Sequence, residues 1–182
     1  LSITDADPYD YGPVATSSSA QKTFTLSNSG GFTASAIAES GLAAPFAFAG
    51  GSFPGAGGTC AATLAPASNC TLVIDFAPSS TGLATDTIQI DYHDGATVQN
   101  TTNGVQGIGS SPAIITISEA EPYDFANVPV GAPSDHTFTL SNTGGVPATA
   151  MAGGGLVSPF TFLGGSYPGT GGTCAATLAN GS

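Results

Sequence analysis

The sequence carries almost no positive charge. Its 182 residues include one lysine, Lys22, and no arginine, set against 12 acidic residues for a formal net charge of −11. Nucleic-acid binding draws its affinity from Lys and Arg displacing counterions from phosphates. Anionic membranes and phosphate esters are held by the same cations. One lysine supplies none of this, so no nucleic-acid partner is expected. No apolar run reaches the roughly 18 residues that span a bilayer, so no direct membrane insertion is expected either. Tryptophan is absent, which argues against the aromatic-lined sugar cleft of a glycosidase. No signal peptide is visible from Leu1, as expected of a processed chain or an interior piece of a longer one.

The chain nevertheless has the composition of a folded protein. Hydrophobic residues make up 41% and charged residues only 7%, the reverse of the balance in disordered chains. Gly 26 and Pro 13 form about a fifth of the sequence, but without the three-residue period of collagen.

An internal repeat organises the chain. Shifted by 114 positions, the sequence matches itself at 37 of 68 overlapped positions without a gap. Pro8-Tyr9-Asp10 meets Pro122-Tyr123-Asp124, and Thr23-Phe24-Thr25-Leu26-Ser27-Asn28 meets Thr137-Phe138-Thr139-Leu140-Ser141-Asn142. Thr59 to Ala65 meets Thr173 to Ala179 without a difference. A period of this size fits a domain better than a solenoid unit. The expected organisation is a complete repeat over residues 1–110 and a second, truncated one over 111–182, joined by a linker at Gly107–Pro112.

Each repeat reads as β-structure. Leu1 and Ile3, Phe24 and Leu26, and Ile88, Ile90 and Tyr92 alternate with polar residues, and Leu72, Ile74 and Phe76 alternate with Thr71, Val73 and Asp75, at the period of half-buried strands. Asn28 to Gly31, Ala77 to Gly82, Asp94-Gly95 and Asn103-Gly104 read as punctuation, with Asp94-Gly95 as a hairpin turn. Seven or eight short strands per repeat predict an immunoglobulin-like sandwich, with a jelly roll as the alternative. The fold class is therefore all-β: tandem immunoglobulin-like β-sandwiches, the second incomplete. The predicted core is Ile3, Phe24, Leu26, Ile37, Phe46, Phe48, Leu72, Ile74, Phe76, Ile88 and Ile90.

Cys60 and Cys70 enclose nine residues, and Cys174 repeats Cys60 without a counterpart of Cys70. One disulfide per complete repeat is the leading reading, and a pair of buried thiols is the other. A disulfide here would contribute roughly 2.5–3 kcal/mol by loop closure and would imply secretion. Two cysteines at this spacing without paired histidines are not a zinc pattern.

In order, Asp10-Tyr11-Gly12, Phe24-Thr25-Leu26-Ser27-Asn28-Ser29-Gly30, Phe46, Cys60 with Leu64 and Cys70, Val73-Ile74-Asp75-Phe76-Ala77-Pro78 with Gly82, and Ile88-Gln89-Ile90 together resemble the bacterial "choice-of-anchor D" repeats. These are relatives of the ASH (abnormal spindle and Hydin-like) immunoglobulin-like domains. The second copy departs from the pattern at Ala126, where Gly is usual. The resemblance implies a secreted or surface-attached bacterial protein whose tandem sandwiches serve as stalks, spacers or adhesive modules. It carries over no catalytic residue.

Few side chains offer chemistry. Asp5, Asp7 and Asp10, and their counterparts Glu119, Glu121 and Asp124, alternate along segments that, if extended, put carboxylates on one side. Three such oxygen ligands near a domain boundary could hold Ca²⁺, with Asp91 and Asp94 contributing to the second copy's site if their hairpin end faces the linker. A solvated acidic rim is the plainer reading. His93 and His136 are not equivalent in the repeat, and no Gly-x-Ser-x-Gly elbow accompanies them, so no catalytic triad is expected. The glycine pairs precede neither a Lys nor a helix and read as turns, not phosphate loops.

The first function expected is structural: a stalk, fibre or filament module that is not an enzyme. Its partners would be neighbouring copies of the repeat or other subunits of a surface assembly. The alternatives are an adhesin or carbohydrate- or protein-binding module, with Phe53 and Tyr167 as equivalent candidate ligand contacts, and an accessory domain of a secreted hydrolase. The missing half of the second repeat has two explanations: a longer array, or completion by a strand from another subunit.

Overall fold

The computed structural model describes all of residues 1–182, and its contacts divide the chain into two compact units, Leu1–Ser110 and Ser111–Ser182. The protein is all-β. Its one helical element is a 3-10 turn at Ala49–Gly51, and no helix is long and apolar enough to cross a membrane.

The first unit contains nine strands: β1 (Ser2–Ile3), β2 (Tyr9–Ala15), β3 (Ala20–Asn28), β4 (Ala34–Ser40), β5 (Phe46–Phe48), β6 (Thr63–Leu64), β7 (Ser68–Phe76), β8 (Gly82–His93) and β9 (Val98–Ser110). They form two sheets, in the orders β1-β3-β7-β5 and β2-β9-β8-β4-β6. This is an immunoglobulin-like sandwich. β3 pairs antiparallel with β7 over nine positions, from Ala20↔Phe76 to Asn28↔Ser68. β8 and β9 form the long hairpin of the second sheet, and β2 closes its edge by pairing parallel with β9.

The alternation in sequence becomes the inner faces of the two sheets. Phe24, Leu26, Leu72, Ile74 and Phe76 project from one sheet and Ile37, Ile88 and Ile90 from the other, all buried in one core. Phe46 and Phe48 are buried with them, while Ile3 is only partly buried against this core. Val14, Leu64 and Val105 belong to the core as well; they sit singly in Gly-, Pro- or Ala-rich surroundings that hide their period. Phe46 stacks on Phe76 with centroids 4.8 Å apart, and Tyr11 tilts against both rings.

Two expectations are corrected. Asn103-Gly104 is not a turn, and Gly107 does not open a linker: β9 runs unbroken through both to Ser110. The glycines are there for closeness. A Cβ on Gly107 would lie 2.5 Å from the Phe76 ring, and one on Gly109 would lie 2.0 Å from the Ser80 carbonyl oxygen. The Asp94-Gly95 hairpin forms as expected, with a turn in which Asp94 N–H donates to the Thr97 carbonyl at 3.0 Å.

The second unit has two short strands, β10 (Ile115–Ile117) and β11 (Leu140–Asn142), paired antiparallel. Their register, Ile117↔Leu140, repeats Ile3↔Leu26 of the first unit at the 114-residue offset. An isolated bridge between Ala148 and Leu178 repeats Ala34↔Leu64.

Candidate functional site

The segment Thr4–Pro8 bends instead of forming a strand, so alternation does not align its carboxylates. Asp5 accepts the Thr25 backbone N–H at 2.8 Å and pairs with Lys22 Nζ at 2.9 Å. Asp7 accepts the Gly104 N–H at 2.7 Å, across the sandwich edge on β9. Asp10 closes its own turn by accepting the Gly12 N–H at 2.7 Å, and takes Gln106 Nε2 at 3.0 Å. These two donors, the backbone N–H first, hold the Asp10 carboxyl below its ordinary range. Asp5 thus ties the bend to β3 and Asp7 ties it to β9, while Asp10, on β2, also reaches β9. In the second unit, Asp124 accepts the Ala126 N–H at 2.7 Å, and Glu119 lies 3.8 Å from His136 Nε2. Nowhere do three or more His, Cys, Asp or Glu side chains meet in an arrangement that could hold a metal ion.

Lys22 is committed as well. Besides its ion pair, its ammonium lies 5.0 Å from the Tyr9 ring centroid and 5.8 Å from that of Phe24, within cation–π range. His136, its counterpart, stacks on Tyr123 at 4.0 Å, and the Tyr123 hydroxyl and His136 Nδ1 lie 2.9 Å apart. His93 Nδ1 accepts the Gly95 N–H at 3.1 Å, a turn contact. Asp94 accepts the Thr97 and Ala96 N–H groups, which in that order hold its pKa below the ordinary carboxylate value.

Cys60 and Cys70 form a disulfide, with Cα atoms 4.8 Å apart. It fastens the loop before β6 to β7, alongside hydrogen bonds from the Thr59 and Cys60 N–H groups to the Thr71 carbonyl. A disulfide of this kind fits an oxidising, extracytoplasmic setting. Cys174 is free and half-buried.

The Gly50–Gly58 loop, a candidate for ligand contact, is folded onto β7. Val73 N–H donates to the Pro54 carbonyl at 2.8 Å. Gly55, at φ +91°, brings its backbone so close that a Cβ would lie 2.2 Å from the Val73 oxygen. This cover explains why Val73, on the outer face of β7, is buried; sequence alternation had assigned that face to solvent. Phe53 is half-buried, edge-on to Phe48 at 5.7 Å, and packs against the core. Tyr167 takes the same pose on Phe162 at 5.7 Å. Its hydroxyl is buried without a hydrogen-bond partner, and desolvation, then the nearby Cys174, push its pKa upward. Neither aromatic is presented as an exposed anchor.

Sequence reasoning missed the buried asparagines. Asn28, Asn103 and Asn142 are the buried polar residues of the chain. Asn103 Nδ2 donates to the Ala6 carbonyl at 3.1 Å and so seats the acidic bend. The duplicated Asn at positions 28 and 142 was the available signal, but Asn before Gly reads first as a turn.

No family model matches the chain, and no curated protein does. Among solved structures, the VesB protease of Vibrio cholerae is similar at 14% identity and a TM-score of 0.45, covering 58% of this chain; the chain spans 31% of that protein's length. The ASH/PapD-like domain 7 of human CEP192 is similar at 12% identity and a TM-score of 0.35, covering 62% of this chain and 81% of that one. With both likenesses this low, it is the strand order and pairing described above that make the first unit an immunoglobulin-like sandwich.

Proposed function

We propose that this chain is a structural module of a secreted or surface-attached bacterial protein, a building block for a stalk, fibre or filament of repeated immunoglobulin-like domains. The observation that carries the reading is the commitment of polar and aromatic groups to internal packing, repeated at a 114-residue offset. Lys22, Asp5, Asp7, Asp10 and the Gly50–Gly58 loop all serve the fold; in the second unit Asp124 closes its turn onto Ala126 as Asp10 does onto Gly12, and His136 sits beside Glu119 and Tyr123 as Lys22 sits beside Asp5 and Tyr9. The Cys60–Cys70 disulfide and the scarcity of cationic cleavage sites suit an exposed, protease-resistant element. Its partners in this reading are further copies of the repeat or other subunits of the same assembly, and the chain performs no catalysis.

The test is localisation together with thiol state in the source cells. Antibody against the first unit should label intact, unpermeabilised cells, and Cys60 and Cys70 should resist alkylation until a reductant is added. Labelling only after permeabilisation, with both cysteines alkylated directly, would overturn the proposal.

A further inference from the structure

The asparagines of the chain fall into two groups. Asn28, Asn103 and Asn142 are buried. Asn69, Asn100, Asn127 and Asn180 are exposed, and three of these four open an Asn-x-Ser/Thr tripeptide: Asn69-Cys70-Thr71, Asn100-Thr101-Thr102 and Asn180-Gly181-Ser182. In exported chains this tripeptide is the acceptor for N-linked oligosaccharide. The fold treats the three differently. Asn69 lies in β7, paired with Ser27 of β3. Its neighbour Cys70 is held in the disulfide, and the Thr71 hydroxyl accepts the Thr59 N–H at 3.1 Å. The Ser182 hydroxyl donates to the Ala179 carbonyl at 2.6 Å, and the Gly181 N–H donates to the Asn142 carbonyl at 2.8 Å. In both, the hydroxyl is engaged and the segment is tied down.

Asn100 is placed otherwise. It lies near the turn end of the β8–β9 hairpin, where β9 pairs with β8 alone; β2 joins β9 only from Val105 onward. Asn100 and Thr102 are two apart on a strand and stand exposed on one face. The opposite face carries Asn103 and Val105, both buried. Asp91, across the ladder from Asn100, does not compete for its amide. That carboxylate already takes the Ser40 hydroxyl at 2.9 Å and Gln89 Nε2 at 3.0 Å. The buried residues of β9 begin at Asn103. Lifting Val98–Thr102 away from β8 to enter an enzyme therefore takes no β9 side chain out of the core.

We propose that Asn100 is a site of N-linked glycosylation, the donor being an oligosaccharide carried on a polyprenyl diphosphate. Asn100 Nδ2 attacks the anomeric carbon of the donor. A C–N bond forms as the C–O bond to the diphosphate breaks. The polyprenyl diphosphate leaves with the bonding pair, and the amide nitrogen gives up one proton. The glycan covers the part of β9 that has no neighbour on its second side, where Val98 is 75% exposed. Such an unpaired edge otherwise invites pairing with another chain. The proposal rests on export of the chain, and the test separates the two.

The native chain is isolated from the source cells, digested with pepsin without reduction, and mapped by mass spectrometry. The peptide holding Asn100 should carry a sugar mass, Asn69 should be bare, and Cys60 should be joined to Cys70. A formed disulfide with Asn100 bare overturns the proposal and leaves export standing. Free cysteines with Asn100 bare overturn both. A second measurement uses the recombinant chain, unglycosylated and with its disulfide intact. It is incubated with a purified oligosaccharyltransferase and a polyprenyl-diphosphate-linked disaccharide of N-acetylglucosamine. Asn100 should be modified about tenfold faster than Asn69, because the hairpin end opens locally more readily than β7. Thr102→Val should abolish modification of Asn100 and leave the urea midpoint unchanged. Reduction and unfolding should remove the difference between Asn100 and Asn69. Modification of the folded chain at Asn69 as fast as at Asn100, or at neither, overturns the proposal.

Discussion

Asn28 and Asn142, 114 residues apart, make the same three hydrogen bonds. Asn28 Nδ2 donates to the Phe32 and Leu64 carbonyls at 2.9 Å each, and its Oδ1 accepts the Gly30 N–H at 3.0 Å. Asn142 Nδ2 donates to the Val146 and Leu178 carbonyls at 3.0 and 3.2 Å, and its Oδ1 accepts the Gly144 N–H at 3.0 Å. In each unit a buried amide joins the turn after one strand to the segment around a distant leucine. An apolar side chain would strip the amide partner from the Phe32 or Val146 carbonyl and from the Gly30 or Gly144 N–H.

Asn28→Ala should therefore destabilise the first unit by about 2 kcal/mol or more, the cost of leaving buried polar groups unpaired. Amide exchange at Leu72 and Ile88 in urea reads this directly. The variant should lose protection there, while amides of the second unit keep theirs.

Gly107→Ala forces a Cβ into the Phe76 ring at 2.5 Å. Overpacking of this kind costs about 1–3 kcal/mol, here at the centre of the Phe46–Phe76–Tyr11 cluster. Gly31→Ala is the control, because a Cβ there meets nothing within 4 Å and its φ is not in the left-handed region. The urea midpoint should fall for the first variant and stay within error of the parent for the second.

The Cys60–Cys70 bridge closes a loop with a sequence separation of 10. Replacing both cysteines by serine should cost roughly 2.5–3 kcal/mol by loop-closure entropy. The double variant and the reduced parent should share one lowered midpoint. A reduced parent much more stable than the serine variant would show that buried thiol packing carries the difference instead.

Stability should fall in acid through Asp10. Its pKa in the folded state is lowered by the Gly12 N–H and then by Gln106. The contribution is therefore present above the unfolded value, near 3.8, and is lost as pH falls through the lower folded value. Asp10→Asn should flatten the decline in urea midpoint below about pH 4. At pH 7 it should be slightly less stable than the parent, having exchanged a charge-assisted bond for a neutral one.

Much of the fold was legible because half-buried strands write their burial as a period of two. Phe24-Thr25-Leu26, Leu72-Val73-Ile74 and Ile88-Gln89-Ile90 each show it, and the 114-residue repeat was visible by alignment alone. The cysteine pair was legible from its spacing. The placement of the acidic residues was not, because Asp5, Asp7 and Asp10 are parted by a bend whose partners, Thr25, Gly104 and Gln106, are up to 97 residues away. Gly107 and Gly109 read as flexible because a glycine that permits close approach and one that permits a turn look alike in sequence.

The clearest division between the two levels lies in six residues that occur twice. Thr23–Asn28 and Thr137–Asn142 are identical, so sequence alone determined their alternation, their β preference and the asparagine that ends them. Yet Thr23–Asn28 is strand throughout, while only Leu140–Asn142 is strand in the second copy. A strand is a shared structure, and its backbone groups need a neighbour to bond with. β7 lies beside the first copy along its full length, whereas β10 reaches only the last three residues of the second. The pattern of side chains is a property of the sequence; whether that pattern becomes a sheet was decided by what lies next to it in space.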